Sequence, residues 1–284
     1  MPRDQGLLYF AKGKAFVAEA ERSARQAAKV MPEYPIAIVS DREPNLDCFD
    51  TIIIDKTPFE KRDKPRALQK TPYDQTIYLD TDTYLSDSID DLFDILGEFD
   101  LALRRDRDQA HVPEDSSLPG SFPEFHAGVI SYRSTESVMN MLDDWERRCL
   151  PTHDYDQRSL RPALYHSDVR FTPIPNRYNC QYHWDNIVDG SVKVFHGPLV
   201  EREVESTDPK DIINLQDAIS KLSESDKVRL HYRRDETLYV DPPQPFLARV
   251  YSMIRHHRLQ GLLAKAAKKL MRRLWTLMVH DHGT

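Results

Sequence analysis

Residues 76–83 read Thr-Ile-Tyr-Leu-Asp-Thr-Asp-Thr, an apolar run that leads directly into two carboxylates. Side chains alternate between the two faces of a strand, so Asp80 and Asp82 point to the same side where this strand ends. Two carboxylates placed this close repel each other unless a cation lies between them. Hard divalent ions such as Mg²⁺ and Mn²⁺ bind oxygen ligands, usually together with substrate phosphates. The stretch therefore predicts a divalent-metal site at the carboxyl end of a buried strand.

The surrounding sequence predicts an α/β fold. Continuous apolar runs, which are typical of buried parallel strands, alternate with helical patterns. The predicted strands lie at 6–11, 36–41, 51–55, 76–79 and 99–103, and the predicted helices at 14–30, from Pro65 and around 90–96. Such alternation favours a mostly parallel central sheet flanked by helices. Ligands of these sheets bind at the carboxyl ends of the strands, where Asp41, Asp80 and Asp82 lie.

A polar segment follows the predicted strand at 99–103. Residues 104–125 are rich in Pro and Gly and are predicted to form a loop over the site. A strand at 125–133 follows, and a helix through Val138 and Trp145 should cover it. Another helix starts near Asp154, whose side chain suits an N-cap, and a strand is predicted at 192–197.

The composition is that of an ordinary soluble protein. The chain has 284 residues, 40% of them hydrophobic and 30% charged, which suits one α/β domain with an appendage. Three widely spaced cysteines argue against a disulfide framework or a zinc site and fit a reducing compartment. Neither a secretory signal nor an apolar run of about 18 residues is visible. We therefore expect a cytoplasmic protein.

The net charge of −7 conceals an acidic body and a basic tail. Residues 242–280 contain no Asp or Glu but eight Lys and Arg, which leaves −15 for the rest of the chain. Pro-Pro-Gln-Pro at 242–245 indicates a stiff linker, and beyond it leucines and lysines fall on opposite faces of a predicted helix. Such a helix, at 249–279, is typical of a segment that lies in an anionic membrane surface, here the inner face of the membrane. Docking on the acidic body is the alternative, and nucleic-acid binding is not expected.

Seven short motifs follow one another along the chain. They are Tyr-x-Ala at 9–11, Lys64 with Ala67-Leu68, Asp-Thr-Asp at 80–82, Ala-Gly-Val-Ile at 127–130, Asp-Gln at 156–157, Arg-Tyr-Asn at 177–179 and His-Gly at 196–197. In this order they resemble the GT-A glycosyltransferases. They are most similar to family 8, the glycogenin and lipopolysaccharide galactosyltransferase group, over residues 6–198. The chain departs from the family at His126, where members often have Asn, and in the residues that follow His196.

The resemblance implies a metal site and a diphosphate site. Asp80, Asp82 and His196 would bind Mn²⁺ or Mg²⁺, and a neutral imidazole is a suitable ligand for Mn²⁺. Asp80 would also contact the nucleotide ribose. Lys64 would neutralise the diphosphate, with a surface lysine in a basic run as the alternative.

The resemblance also implies a donor pocket. Phe10, Ala11 and Asp41 would line the base pocket, and core packing is the alternative for the first two. Ala127 and Gly128 would let the backbone approach the donor sugar, because small side chains remove steric bulk.

Asp156 and Gln157 are the implied catalytic residues. They would bind the donor sugar near its anomeric carbon, with helix capping as the alternative for Asp156. The implied reaction moves a sugar from a nucleotide-diphosphate sugar, preferably a UDP-sugar, to the hydroxyl of a glycan or of a lipid-linked or cell-envelope acceptor, with retention of configuration. Together with the composition of the tail, the resemblance predicts a catalytic domain at 1–235, a Pro-rich linker at 236–248 and a basic helix at 249–284.

Other classes of protein share part of this pattern. A haloacid-dehalogenase-like phosphatase also has Asp-x-Asp after a strand, but after the first strand, and it carries Thr or Val where this chain has Tyr84. An inactive membrane-bound scaffold with the same fold is the non-enzyme alternative, and intact Asp80, Asp82 and His196 argue against it. A sugar nucleotidyltransferase is disfavoured because no glycine-rich loop follows the first strand.

Overall fold

The computed structural model describes most of the chain up to residue 197 and two later segments. The described ranges are 4–45, 47–60, 62–106, 118–149, 156–181, 186–189, 192–197, 227–232 and 238–241. They belong to a unit formed by residues 1–240, except Asp241, which opens a second unit at 241–284. The predicted N-cap Asp154, half of the predicted loop (107–117) and the basic helix at 249–284 lie outside the described residues.

The described residues form strands and helices in the predicted alternation. The strands are β1 (Gln5–Ala11), β2 (Ile36–Ser40), β3 (Thr51–Ile54), β4 (Gln75–Leu79), β5 (Thr83–Leu85), β6 (Leu101–Arg105), β7 (Phe125–Arg133), β8 (Phe171–Ile174), β9 (Cys180–Gln181), β10 (Asn186–Asp189), β11 (Val194–His196), β12 (Lys227–Tyr232) and β13 (Leu238–Asp241). The helices are α1 (Lys14–Val30), α2 (Asp63–Leu68), α3 (Asp91–Asp94), α4 (Glu136–Arg148) and α5 (Gln157–Tyr165), with 3₁₀ turns at Ile95–Gly97 and Asn176–Tyr178.

The central sheet has seven strands among the described residues, in the order β3-β2-β1-β4-β7-β6-β8. Strand β7 is antiparallel to both of its neighbours, and the remaining pairs are parallel. Separate apolar clusters cover the two faces of the sheet, which is why the inner strands β1 and β2 carry long apolar runs. The prediction of a mostly parallel sheet flanked by helices is confirmed.

Strand β6 differs from its prediction. It extends to Arg105, whereas the sequence predicted a strand at 99–103 and a loop from Arg104 onward. The register against β7 shifts between Leu103 and Arg104, and β8 pairs with the other side of β6 as far as Arg104. Pairing on both sides keeps the backbone extended past the apolar residues. Arg104 therefore lies buried in the sheet rather than in a surface loop.

A second sheet, with three strands, determines the position of His196. Strand β5 pairs antiparallel with β11, and β11 pairs parallel with β9. In this register His196 lies opposite Thr83, the residue that follows Asp82. The sheet therefore brings His196 to the carboxyl end of β4.

A third sheet has the order β10-β12-β13. Among the described helices, none is long and apolar enough to cross a membrane.

Helix α4 covers one face of the central sheet and also fixes the start of α5. Its side chains at Val138, Met141, Leu142 and Trp145 are buried at helical spacing, as predicted. The indole Nε1 of Trp145 donates to the backbone carbonyl of Asp156 at 3.0 Å. The place where α5 begins thus depends on this buried ring.

Replacing Trp145 by Phe removes both this hydrogen bond and part of the buried ring. We expect Trp145→Phe to lower the free energy of unfolding by about 2 kcal/mol. Urea unfolding followed by circular dichroism measures this, with exposed Tyr165→Phe as the control. A loss no larger than that of the control would show that the ring does not hold α5.

Candidate active site

Three metal-ligating side chains meet at the carboxyl end of β4. Asp80 follows β4, Asp82 precedes β5 and His196 ends β11. One ligand atom from each lies within 4.8 Å of the others, and Nε2 of His196 is 3.1 Å from Asp82 Oδ1 and 3.7 Å from Asp80 Oδ2. Two carboxylate oxygens and one imidazole nitrogen at these distances fit a single Mn²⁺ or Mg²⁺ ion. The sequence predicted these three residues as the metal ligands, and the fold brings all three together.

Backbone hydrogen bonds fix the turn that carries the two aspartates. The amide of Asp80 donates to the carbonyl of Gly128 at 2.8 Å, and the hydroxyl of Thr83 donates to the carbonyl of Asp80 at 2.7 Å. The amide of Gly197 donates to the carbonyl of Asp82 at 3.0 Å. Both aspartates are thereby tied to the strands on either side of them.

Gly128 leaves space for the imidazole of His196. A Cβ atom at Gly128 would overlap Cε1 of His196 and lie 2.5 Å from its Nδ1. The resemblance implied that Gly128 and Ala127 let the backbone approach a sugar. In the structure Gly128 lies against His196, and Ala127 is buried in the apolar cluster beneath α4.

Asn179 orients this histidine. Its Oδ1 lies 2.7 Å from Nδ1 of His196 and can accept the proton that this nitrogen carries. The other ring nitrogen, Nε2, can then offer a lone pair to a cation that Asp80 and Asp82 also hold. Asn179 is fully buried, so the amide cannot turn away into solvent. The sequence showed Asn179 only as part of the Arg-Tyr-Asn motif, and its partner becomes visible only when the fold brings distant segments together.

Lys64 lies between the metal ligands and the start of α5. Its ammonium is 2.9 Å from Asp80 Oδ1 and 3.1 Å from Asp156 Oδ2. Burial would lower the pKa of Lys64, but the carboxylates of Asp156 and Asp80 outweigh burial and raise this pKa above its ordinary value. Lys64 therefore keeps its positive charge in the site and is not a plain surface lysine.

Tyr78 was not predicted as a site residue. Its hydroxyl donates to Oδ1 of Asp80 at 2.6 Å. Burial and the neighbouring Asp80 raise the pKa of Tyr78 well above its ordinary value, so its hydroxyl keeps its proton. The signal for this contact is the spacing of two residues between Tyr78 and Asp80, which places both side chains on one face of β4.

The two predicted catalytic residues have different partners. Asp156 occupies the N-cap position of α5, yet its side chain makes no capping hydrogen bond and pairs with Lys64 instead. The amide nitrogen of Gln157 donates to Asp106 Oδ2 at 2.7 Å, and Asp106 Oδ1 accepts from Arg104 at 3.1 Å. Buried Arg104 also donates to Gln181 at 2.7 Å, so a guanidinium from β6 supports this wall of the site.

The residues predicted for the base pocket lie at the ends of β1 and β2. Phe10 and Ala11 end β1 and are largely buried in opposite apolar clusters, as the core-packing alternative has it. Asp41 accepts the amide of Gly13 at 3.1 Å and pairs with Arg42 at 2.8 Å. Hydrogen bonding to Arg42 lowers the pKa of Asp41 to about 2. A carboxylate is thus held ionised at this edge of the sheet.

Comparisons with known proteins place the fold. No family model and no curated protein matches this chain. It is similar to the structure of the galactosyltransferase LgtC in complex with donor and acceptor sugar analogs, with 15% identity and a TM-score of 0.51 over 77% of this chain and 95% of that chain. It is also similar to an active-site Gln-to-Glu mutant of LgtC, with 13% identity and a TM-score of 0.51 over 75% of this chain and 95% of that chain. The chain has the GT-A fold, which confirms the fold that the motif order predicted.

The contact between Gly128 and His196 can be tested by adding one methyl group. We expect Gly128→Ala to displace the imidazole and to lower the free energy of unfolding by about 1–3 kcal/mol, the usual cost of overpacking. Gly97→Ala is the matched control, because a Cβ there meets no atom within 4 Å. Chemical unfolding of both variants measures the difference. Equal stabilities would contradict the close approach of the His196 ring.

Proposed function

We propose that this chain, which has the GT-A fold, is a metal-dependent glycosyltransferase that moves a sugar from a nucleotide-diphosphate sugar to an acceptor hydroxyl. The observation that carries the proposal is the meeting of Asp80, Asp82, His196 and Lys64 at one edge of the sheet. The first three supply ligands for a divalent ion. The fourth supplies a positive charge beside it, and a metal-bound diphosphate needs both.

The similar proteins support this class of substrate. LgtC is a galactosyltransferase that was solved with donor and acceptor sugar analogs, and it has a glutamine in its active site. Gln157 is the candidate for a comparable position in this chain, because it lies at the start of α5 beside Asp156 and near the charge cluster. We propose a UDP-sugar as the donor and a glycan, or a lipid-linked or cell-envelope glycan, as the acceptor.

The residues divide the chemistry between charge stabilisation and orientation. A bound divalent ion would act as a Lewis acid toward the departing diphosphate. Asp80, Asp82 and Nε2 of His196 would hold that ion, while Asn179 keeps the proton on the opposite ring nitrogen. Lys64 would move from its carboxylate partners toward the phosphate oxygens, where its charge offsets that of the leaving group.

Gln157 would face the donor sugar with a neutral oxygen. Because its amide nitrogen is engaged by Asp106, its Oε1 is the end directed toward other partners. A neutral oxygen near the anomeric carbon suits a reaction that needs no strong base, and the carboxylate of Asp156 is already paired with Lys64. We therefore propose that the reaction retains configuration, with Asp156 and Gln157 as the sugar-binding pair.

Membrane association and domain organisation are proposed on the sequence. The basic segment at 249–279 would lie in an anionic membrane surface at the cytoplasmic side, after a catalytic domain at 1–235 and a linker at 236–248. A membrane location would bring the catalytic domain close to a lipid-linked acceptor.

The phosphatase alternative is not favoured, because Asp80 is paired with Lys64 and Tyr78 rather than presented as a nucleophile.

A panel of nucleotide sugars tests the proposed activity. With Mn²⁺ present, we expect one donor to raise the melting temperature and to release its nucleoside diphosphate. Asp82→Asn should abolish both effects, because it removes one charge from the metal site, whereas exposed Asp87→Asn should retain them. No response to any donor, with melting curves that do not depend on metal, would favour the inactive scaffold.

Replacing Lys64 should change two affinities in opposite directions. Lys64→Met removes a positive charge 2.9 Å from Asp80, so we expect Mn²⁺ alone to bind more tightly. The same variant should bind UDP in the presence of Mn²⁺ about tenfold more weakly, because the diphosphate loses a charged partner. Titration calorimetry measures both, with exposed Lys56→Met as the control. A change of the same sign in both titrations would contradict the role of Lys64 as the diphosphate cation.

A further inference from the structure

Lys12 is a buried ammonium that directly follows β1. Its side chain is 2% exposed, and burying a charge is costly unless its hydrogen-bonding capacity is satisfied. The ammonium donates to Thr57 at two atoms, the carbonyl at 3.0 Å and the hydroxyl at 2.8 Å, and to Asp63 Oδ2 at 3.0 Å. Three donors thus meet three acceptors. Lys12 therefore joins the end of β1 to the segment that leads into α2.

Asp63 is the residue through which this contact reaches α2. It is the first residue of the helix, its side chain is 1% exposed, and it also accepts the amide of Glu60 at 2.8 Å. Helix α2 has only six residues, and Arg62 at its N-cap makes no side-chain capping bond. A helix this short is not stable by itself. Tertiary contacts must therefore fix where it begins.

The charges around Lys12 explain why a neutral residue cannot replace it without effect. Asp55 Oδ1 lies 3.6 Å from the Lys12 ammonium, and its other oxygen pairs with Lys70 at 2.7 Å. Arg66 pairs with the other oxygen of Asp63 at 3.1 Å. Without Lys12, Asp55 and Asp63 would lose the ammonium that they share, and among the described residues each would keep only one cation, Lys70 for Asp55 and Arg66 for Asp63. The repulsion between the two carboxylates would push the first turn of α2 away from β1.

We propose that Lys12 is a positioning residue for Lys64: its ion pair with Asp63 fixes the first turn of α2, so that the ammonium of Lys64, the next residue, reaches Asp80 and Asp156. The effect of Lys12 on substrate rests on the proposed function, because it acts through the charge that Lys64 offers to a diphosphate. Its effect on Lys64 itself does not depend on any substrate.

The first test measures the accessibility of Lys64 directly. In the wild-type protein Lys64 is held between two carboxylates and should react slowly with a lysine-acylating reagent, as read by peptide mass spectrometry. Lys12→Met should increase acylation at Lys64. Lys70→Met is the matched control, because Lys70 pairs with Asp55 but not with Asp63, and it should leave Lys64 protected. Unchanged acylation at Lys64 in folded Lys12→Met would overturn the proposal.

A second variant guards against a failure to fold. Asp63→Asn keeps the shape of the side chain and removes the charge that Lys12 holds, so it should expose Lys64 in the same way. If Lys12→Met does not fold, the acylation of Lys64 in Asp63→Asn is the test of the proposal. Acylation as slow as in the wild-type protein would overturn it.

A double-mutant cycle on UDP affinity separates positioning from general destabilisation. In the presence of Mn²⁺, Lys12→Met should weaken UDP binding by about tenfold, the equivalent of one lost charged contact. In a Lys64→Met background the same change should have no further effect, because the group that Lys12 positions is absent. Equal effects in both backgrounds would overturn the proposal. If the wild-type protein binds no UDP, the proposed donor fails, and the acylation experiment still decides the role of Lys12.

Discussion

The repulsion between Asp80 and Asp82 is the constraint on which the surrounding structure depends. Two carboxylates at one strand end require positive charge and hydrogen-bond donors nearby. Lys64 and Tyr78 supply these to Asp80, and His196 lies against Asp82. Burial alone would raise the pKa of Asp82, but the charge and the hydrogen bond that a protonated His196 offers to Asp82 lower this pKa below its ordinary value. A bound cation would take the place of that proton. These contacts gather carboxylates, an imidazole and an ammonium at one edge of the sheet.

The fold serves this requirement by joining segments that are far apart in sequence. Strand β11 pairs with β5 and carries His196 to a position opposite Thr83. Gly128 on β7 makes room for the imidazole, and Asn179 holds its orientation. A separate chain of contacts reaches the site through α2, from Lys12 to Asp63 and the adjacent Lys64. The cluster of Asp80, Asp82 and His196 and the ammonium of Lys64 are thus supported by different parts of the protein.

Much of this arrangement was predictable because local patterns carry it. The apolar runs predicted the sheet, the motif order predicted the GT-A fold, and the spacing of Asp80 and Asp82 predicted that their side chains converge. Features that depend on tertiary pairing were not predictable. Arg104 was expected in a loop, but strands on both sides hold it in β6. Helix capping was an alternative for Asp156, yet its carboxylate pairs with Lys64, because α2 lies close to the start of α5 only in the folded chain.

The most direct test of the central claim asks whether His196 binds the metal together with the two aspartates. Mn²⁺ and UDP would be added to the protein, and electron spin echo envelope modulation would detect nitrogen coupled to the manganese. We predict coupling to one imidazole nitrogen, which disappears in His196→Gln although UDP still binds weakly with Mn²⁺. Bound manganese without imidazole coupling in the wild-type protein would contradict the assignment of Asp80, Asp82 and His196 as one metal site.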